Sequence, residues 1–287
     1  MDLAKLLQLN QPETIRIAVL DLYEGTPNEG MRGIRQLIEE FTADSHLPVV
    51  SKIYDVRLKE EVPDLDYDIY ISTGGPGSPL ESEGSEWEKK YFALMDAIKD
   101  YNTKNPTRLK HVLLICHSFQ LYCRHYGYAV VSKRKSTSFG VMPVHKTDEG
   151  MHEPLFRSLN DPFWAVDSRD FQITKPDLKK IQSNGGELLA IEKKRPHIRL
   201  ERAVMAIRFD QAFVGMQFHP EADAPGIRMY LLREDKKKLV IEKHGEKKYW
   251  DMLDHLNDPD KIMATYHAVI PRFLMIGLQA QLSTLTL

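Results

Sequence analysis

Three short segments carry residues whose types and spacing can do chemistry. The first is Leu114-Ile-Cys-His-Ser-Phe-Gln120, where an apolar run stops at a cysteine and a helix-compatible stretch follows. A sharp strand-to-helix turn lifts a nucleophile above a sheet edge, and the positive end of the helix behind it stabilises a thiolate. The same residues also fit a buried structural cysteine, the commoner fate of a free thiol. The second is Gly74-Gly-Pro-Gly-Ser-Pro79. Its glycines let backbone N–H groups approach a ligand and hold a developing oxyanion. A simple tight turn fits too, whereas a phosphate loop fits poorly, because Ser78-Pro79 stands where a Walker loop needs Lys-Ser/Thr. The third is Gly215-Met-Gln-Phe-His-Pro-Glu221. In an extended segment His219 and Glu221 project from one face. A carboxylate there can orient the imidazole and stabilise its protonated form.

The elements that must position these groups follow from periodicity. Residues 15–22, 48–56, 67–73 and 111–115 read as buried strands. Between them Met31, Ile34, Leu37, Ile38 and Phe41, then Trp87, Tyr91, Leu94, Met95 and Ile98, recur at helical spacing. That alternation predicts βαβ units and a parallel sheet covered on both faces, with ligands at the carboxyl ends of its strands. Six further strands are expected at 129–133, 140–145, 163–174, 187–192, 203–209 and 213–218, extending the sheet in antiparallel fashion. The charged stretch near 224–262 reads as a helical insertion, and the apolar 268–278, broken by Pro271 and Arg272, as a buried terminal helix. The whole, residues 1–287, is expected to be one α/β domain. Its sheet is open, mixed and mostly parallel, with helices on both faces.

Composition narrows the function classes. A net charge of −2 from 39 basic and 41 acidic residues gives no reason to expect nucleic acid or an anionic membrane as partner. The lysines 236–238 read as a solvated face. Residues 1–12 lack a signal-peptide pattern and no stretch reaches the roughly 18 apolar residues of a membrane span, so a cytoplasmic protein is expected. The two cysteines, Cys116 and Cys123, form neither a CxxC motif nor a disulfide framework. Cys123 is expected to pack inside a helix. The histidines lack ligand spacing, so neither a metal nor a cofactor is expected.

Taken together, the glycine turn, the cysteine elbow and the late Gln-Phe-His-Pro-Glu segment, in that order, resemble the class I glutamine amidotransferases. The resemblance runs from about Ile15 to Glu221, and the spacing of 103 residues from Cys116 to His219 is its most specific part. It implies the flavodoxin-like fold of that family and a Cys116–His219–Glu221 triad that hydrolyses the side-chain amide of glutamine through a glutamyl thioester. It also implies an oxyanion hole at the N–H groups of Gly75 and His117, a substrate pocket at Gln120, Phe139 and Gly140, and ammonia passed to an acceptor. No Ser-Gly-Gly-x-Asp-Ser loop occurs, so a synthase is expected on a separate subunit, if anywhere. The family elbow usually reads Gly-x-Cys-x-Gly; here Leu114 and Ser118 replace the glycines. A γ-glutamyl hydrolase, an intracellular-protease-like relative and a silent binding or regulatory protein are the competing readings.

Overall fold

Alternation along the first strands divides the molecule into two layers. In β1 (Ile15–Asp21), Ile15, Ile17 and Val19 face one apolar cluster while Ala18 and Leu20 face the other. The same division holds for β3 (Ile69–Ser72) and β4 (His111–Ile115), whose side chains are all buried. Strands buried on both faces are what a parallel sheet with helices on each side requires. The computed structural model describes residues 14–45, 47–197 and 199–282; the polar lead-in at residues 1–12 lies outside them.

The sheet has nine strands in the order β2-β1-β3-β4-β9-β8-β7-β5-β6. β2 (Val49–Asp55), β1, β3, β4 and β9 (Phe213–Met216) run parallel. β8 (Val204–Arg208), β7 (Glu187–Glu192), β5 (Val130–Lys146) and β6 (Phe163–Thr174) continue it in antiparallel register. One expectation needs correction: residues 129–133 and 140–145 are parts of the single strand β5, which pairs with β6 on both sides of a register shift between Lys133 and Ser138. The shift leaves Lys135, Ser136 and Thr137 exposed. Backbone pairing, without an apolar side-chain signal, carries the strand through.

One face is covered by α1 (Glu29–Ser45) and, at the chain's far end, α9 (Ile262–Leu282). The other is covered by α2 (Glu86–Lys104), α3 (His117–His125) and, beside β7, the short α5 (Leu178–Ser183). The remaining short helix, α4 (Asp148–His152), also borders β7. Val269, Ile270, Phe273 and Leu274 of α9 are buried, each worth roughly 2 kcal/mol against exposure. The charged stretch becomes three helices: α6 (Ala224–Leu232), α7 (Glu234–His244) and α8 (Glu246–Leu256). They form a third cluster with Val141 of β5 and Val166 of β6, so these helices form a cap packed against those two strands.

Candidate active site

β4 ends at Ile115, and Cys116 turns the chain into α3 at φ 49° and ψ −99°. A non-glycine residue in that region is strained and persists only where its surroundings over-determine it. Here the Cys116 N–H donates to the Met216 carbonyl at 2.7 Å, clamping the turn to β9. Both departures from the glycine elbow have a physical account. The Ser118 hydroxyl accepts the Ile115 N–H at 2.9 Å and lies 2.8 Å from the Ser72 carbonyl, joining β3 and β4 under the nucleophile. Leu114 points to the opposite face and is fully buried among the side chains of α2 and α3.

β9 places the late segment beside this turn, with Leu114 opposite Gly215 and Ile115 opposite Met216. The strand ends at Met216, so the expected extended run to Glu221 is replaced by an isolated antiparallel bridge at His219 and a turn after it. The His219 N–H donates to the Val166 carbonyl at 2.9 Å. The turn, closed by Pro220, brings Glu221 Oε1 to 2.8 Å from His219 Nδ1. Burial opposes the charged imidazole, but the Glu221 carboxylate and the Cys116 sulfur outweigh it. They hold His219 well above the usual imidazole range.

Glu221 is fully buried. α1 packs on it so closely that a Cβ at Gly33 would lie 2.1 Å from the Glu221 carbonyl oxygen. Asp223 follows, pairing with Arg32 of α1 and capping α6 through the Gly226 N–H at 2.8 Å. Tyr23, just beyond β1, was not singled out in the sequence. Its hydroxyl lies against the Glu221 carboxylate, and burial with that negative charge pushes its pKa well up, so it stays a proton donor. No local pattern marks this tyrosine; only β1 lying beside β3 carries it there.

Cys116, His219 and Glu221 line one cavity of about 550 Å³, and so do Gly75, His117, Gln120, Thr137 and Phe139. His117 is the first residue of α3, where a backbone N–H has no intrahelical acceptor. Burial, with Arg57 nearby, depresses its imidazole to about 3 and keeps it neutral. Gln120 Nε2 donates to Gln217 Oε1 at 3.1 Å, and Gln217 Nε2 stands 3.6 Å from the Cys116 sulfur. Gln217 is thus a second site neighbour the sequence reading missed, although it sits inside the third segment. Gly140 is not among the residues that line the cavity: at φ 125°, a Cβ there would meet Lys248 and Met252 of α8. Cys123 is fully buried, and burial pushes its thiol well above the usual range. The far wall comes from the cap, through Ile227, Tyr230, Leu231, Lys236 and Met252.

A family model described as glutamine amidotransferase class-I matches residues 32–235, well over half of the chain. The chain belongs to the class I glutamine amidotransferase family. Solved structures share the fold of this family member. A glutamine amidotransferase from Thermotoga maritima superposes with a TM-score of 0.67 at 16% identity, over 92% of this chain and 98% of that one. Another from Methylobacillus flagellatus gives 0.60 at 14% identity, over 94% and 95%. The glutaminase domain of Trypanosoma brucei CTPS with bound acivicin gives 0.56 at 13% identity, over 94% of each chain. Curated relatives include homoserine O-acetyltransferases. That of Acetivibrio thermocellus is 27% identical over 144 residues, 50% of this chain and 43% of that protein. That of Bacteroides fragilis is 32% identical over 117 residues, 40% of this chain and 35% of that protein. The chain therefore spans less than half the length of the curated relatives it matches. Among the described residues no helix is long and apolar enough to cross a membrane, and no group of three or more His, Cys, Asp or Glu could hold a metal ion.

Proposed function

We propose that this family member is a glutaminase using Cys116 as nucleophile, His219 as general base and acid, and Glu221 as the group that orients and charges the imidazole. The observation that carries the reading is the Cys116 sulfur, held at a strained turn at the head of α3, on the cavity that also holds the His219–Glu221 pair. The thiolate attacks the side-chain carbonyl carbon of glutamine. The oxyanion develops against the N–H groups of Gly75 and His117, and such donors are each worth about 100-fold or more in rate. His219 protonates the departing ammonia, then draws a proton from the water that cleaves the glutamyl thioester. Gln120, tied to Gln217, and Phe139 form the glutamine end of the pocket, and Tyr23 holds the Glu221 carboxylate in place. The ammonia passes to an acceptor bound by a separate synthase, within a cytoplasmic pairing.

The test is release of ammonia and glutamate from glutamine by the purified protein and by Cys116→Ala. Release abolished in the variant is expected; release that survives the substitution would overturn the assignment of the nucleophile.

A second reading has its own observation, the partial match to homoserine O-acetyltransferases. The same thioester chemistry transfers an acyl group when a hydroxyl, rather than water, attacks the intermediate. Incubation with an acetyl thioester and homoserine distinguishes the two, because O-acetylhomoserine forms only under this second reading.

A further inference from the structure

One buried hydroxyl between β3 and the glycine turn has no part in the triad. Thr73 follows the last residue of β3 and is fully buried. Its N–H donates to the Leu20 carbonyl of β1 at 3.0 Å, which keeps the backbone in register there. Its hydroxyl oxygen accepts the Leu22 N–H at 2.9 Å. The hydroxyl proton is then committed to the Gly74 carbonyl, 2.8 Å away. A single side chain thus ties the end of β1 to the first peptide of the turn.

That peptide is the one that carries the Gly75 N–H. Asp161–Pro162 is the cis peptide of the described residues, so Gly74–Gly75 is trans, and its N–H points opposite to its carbonyl. With the carbonyl held on Thr73, the N–H is turned away from the buried hydroxyl. Gly75 lines the cavity, and among the described residues its N–H has no acceptor. The peptide also lies against the reacting pair: a Cβ on Gly74 would stand 3.0 Å from His219 Cε1 and 3.6 Å from Cys116 Cβ. Behind it the Leu22 carbonyl packs so closely that a Cβ on Gly75 would lie 2.5 Å from its oxygen. Arg57 Nη1 donates to that carbonyl at 3.3 Å and to the Pro76 carbonyl at 2.7 Å, closing the far side of the turn.

We propose that Thr73 is the positioning residue of the oxyanion hole. Its hydroxyl sets the plane of the Gly74–Gly75 peptide and keeps the Gly75 N–H turned toward the oxygen of the tetrahedral intermediate. This assignment rests on the glutaminase reading of the Cys116 site and specifies how its hole is assembled. Two successive glycines leave a peptide free to rotate, and a donor stabilises developing charge only when it is held in place beforehand. The lock is made between β1 and β3 of this chain, so no partner is needed to turn the peptide.

Thr73→Val keeps the shape of the side chain and removes the hydroxyl; Thr73→Ser keeps the hydroxyl. Each is compared with wild type and Cys116→Ala for glutamine turnover, and for the rate at which iodoacetamide alkylates Cys116. Displacement of iodide by sulfur develops no oxyanion, so alkylation reports the nucleophile and its fold without the hole. Thr73→Val is expected to lose about 100-fold in kcat, the lower end for one missing donor, with KM and the alkylation rate unchanged. Thr73→Ser should recover most of that loss. Turnover by Thr73→Val near the wild-type rate, kcat and alkylation falling together, or equal losses in the Val and Ser variants would overturn this inference and leave the glutaminase reading intact. A wild-type chain whose Cys116 alkylates fast but that turns over no glutamine alone would also overturn it, because the hole would then be incomplete. Wild type that does neither would overturn both.

Discussion

His219 stands between two negative groups, and that decides what its proton does. Burial alone would favour the neutral ring, yet Glu221 and the Cys116 sulfur keep it charged well above pH 6.5. Iodoacetamide alkylation of Cys116 reads that charge, because an imidazolium beside the sulfur favours the reactive form of the nucleophile. In Glu221→Gln the imidazolium loses its strongest support, and the rate at neutral pH should drop about tenfold. An unchanged rate would show that Glu221 does not set the imidazole charge. Tyr23 belongs to the same scale. Tyr23→Phe removes the hydroxyl beside Glu221 and should lower kcat with little change in KM, since it touches the orienting carboxylate and leaves the glutamine end of the pocket alone. A loss confined to KM would place Tyr23 among substrate contacts instead.

Helix α1 and strand β9 act as elements, through glycines at points of contact. A Cβ on Gly33 would overlap the Glu221 carbonyl at 2.1 Å, so α1 would have to move off the His219–Glu221 turn. Gly33→Ala should keep native helical content by circular dichroism and lose about 100-fold in turnover, the cost of displacing aligned groups by an ångström or so. Near-normal turnover would mean that α1 does not set the position of Glu221. Gly215 makes the corresponding accommodation for α3: a Cβ there would stand 2.3 Å from the Phe119 ring. Gly215→Ala is expected to cost about 1–3 kcal/mol in urea unfolding, the usual range for overpacking. Much of this was legible in advance: β4, β6 and β7 coincide with their expected bounds. β5 was not, because residues 134–138 carry no alternating apolar signal and only the ladder to β6 joins the two halves.

The molecule as a whole buries two histidines that its unfolded chain would protonate. Burial, with Arg208 near one and Arg57 near the other, lowers His111 to about 4 and His117 to about 3. Both folded values lie below the unfolded value of about 6.5. Their stabilisation is therefore complete above pH 6.5 and is lost as pH falls through the window down to the folded values. By pH 4 each withdraws about 3 kcal/mol. Urea unfolding at pH 7 and pH 4 should show a smaller loss for His111→Leu than for wild type, and equal losses would refute the assignment. The residue types of the site, its order along the chain and the succession of strands and helices up to Cys116 were fixed locally, because nucleophile, base and carboxylate lie in short motifs and strands buried on both faces leave short continuous apolar runs. Tertiary structure alone decided the rest. Tyr23 reaches Glu221 because β1 lies beside β3. Gly140 turns toward α8 because the cap packs there. The cavity acquires its far wall because three helices, with no motif among them, fold over β5 and β6. Such contacts arise from packing between distant segments, and no local spacing encodes them.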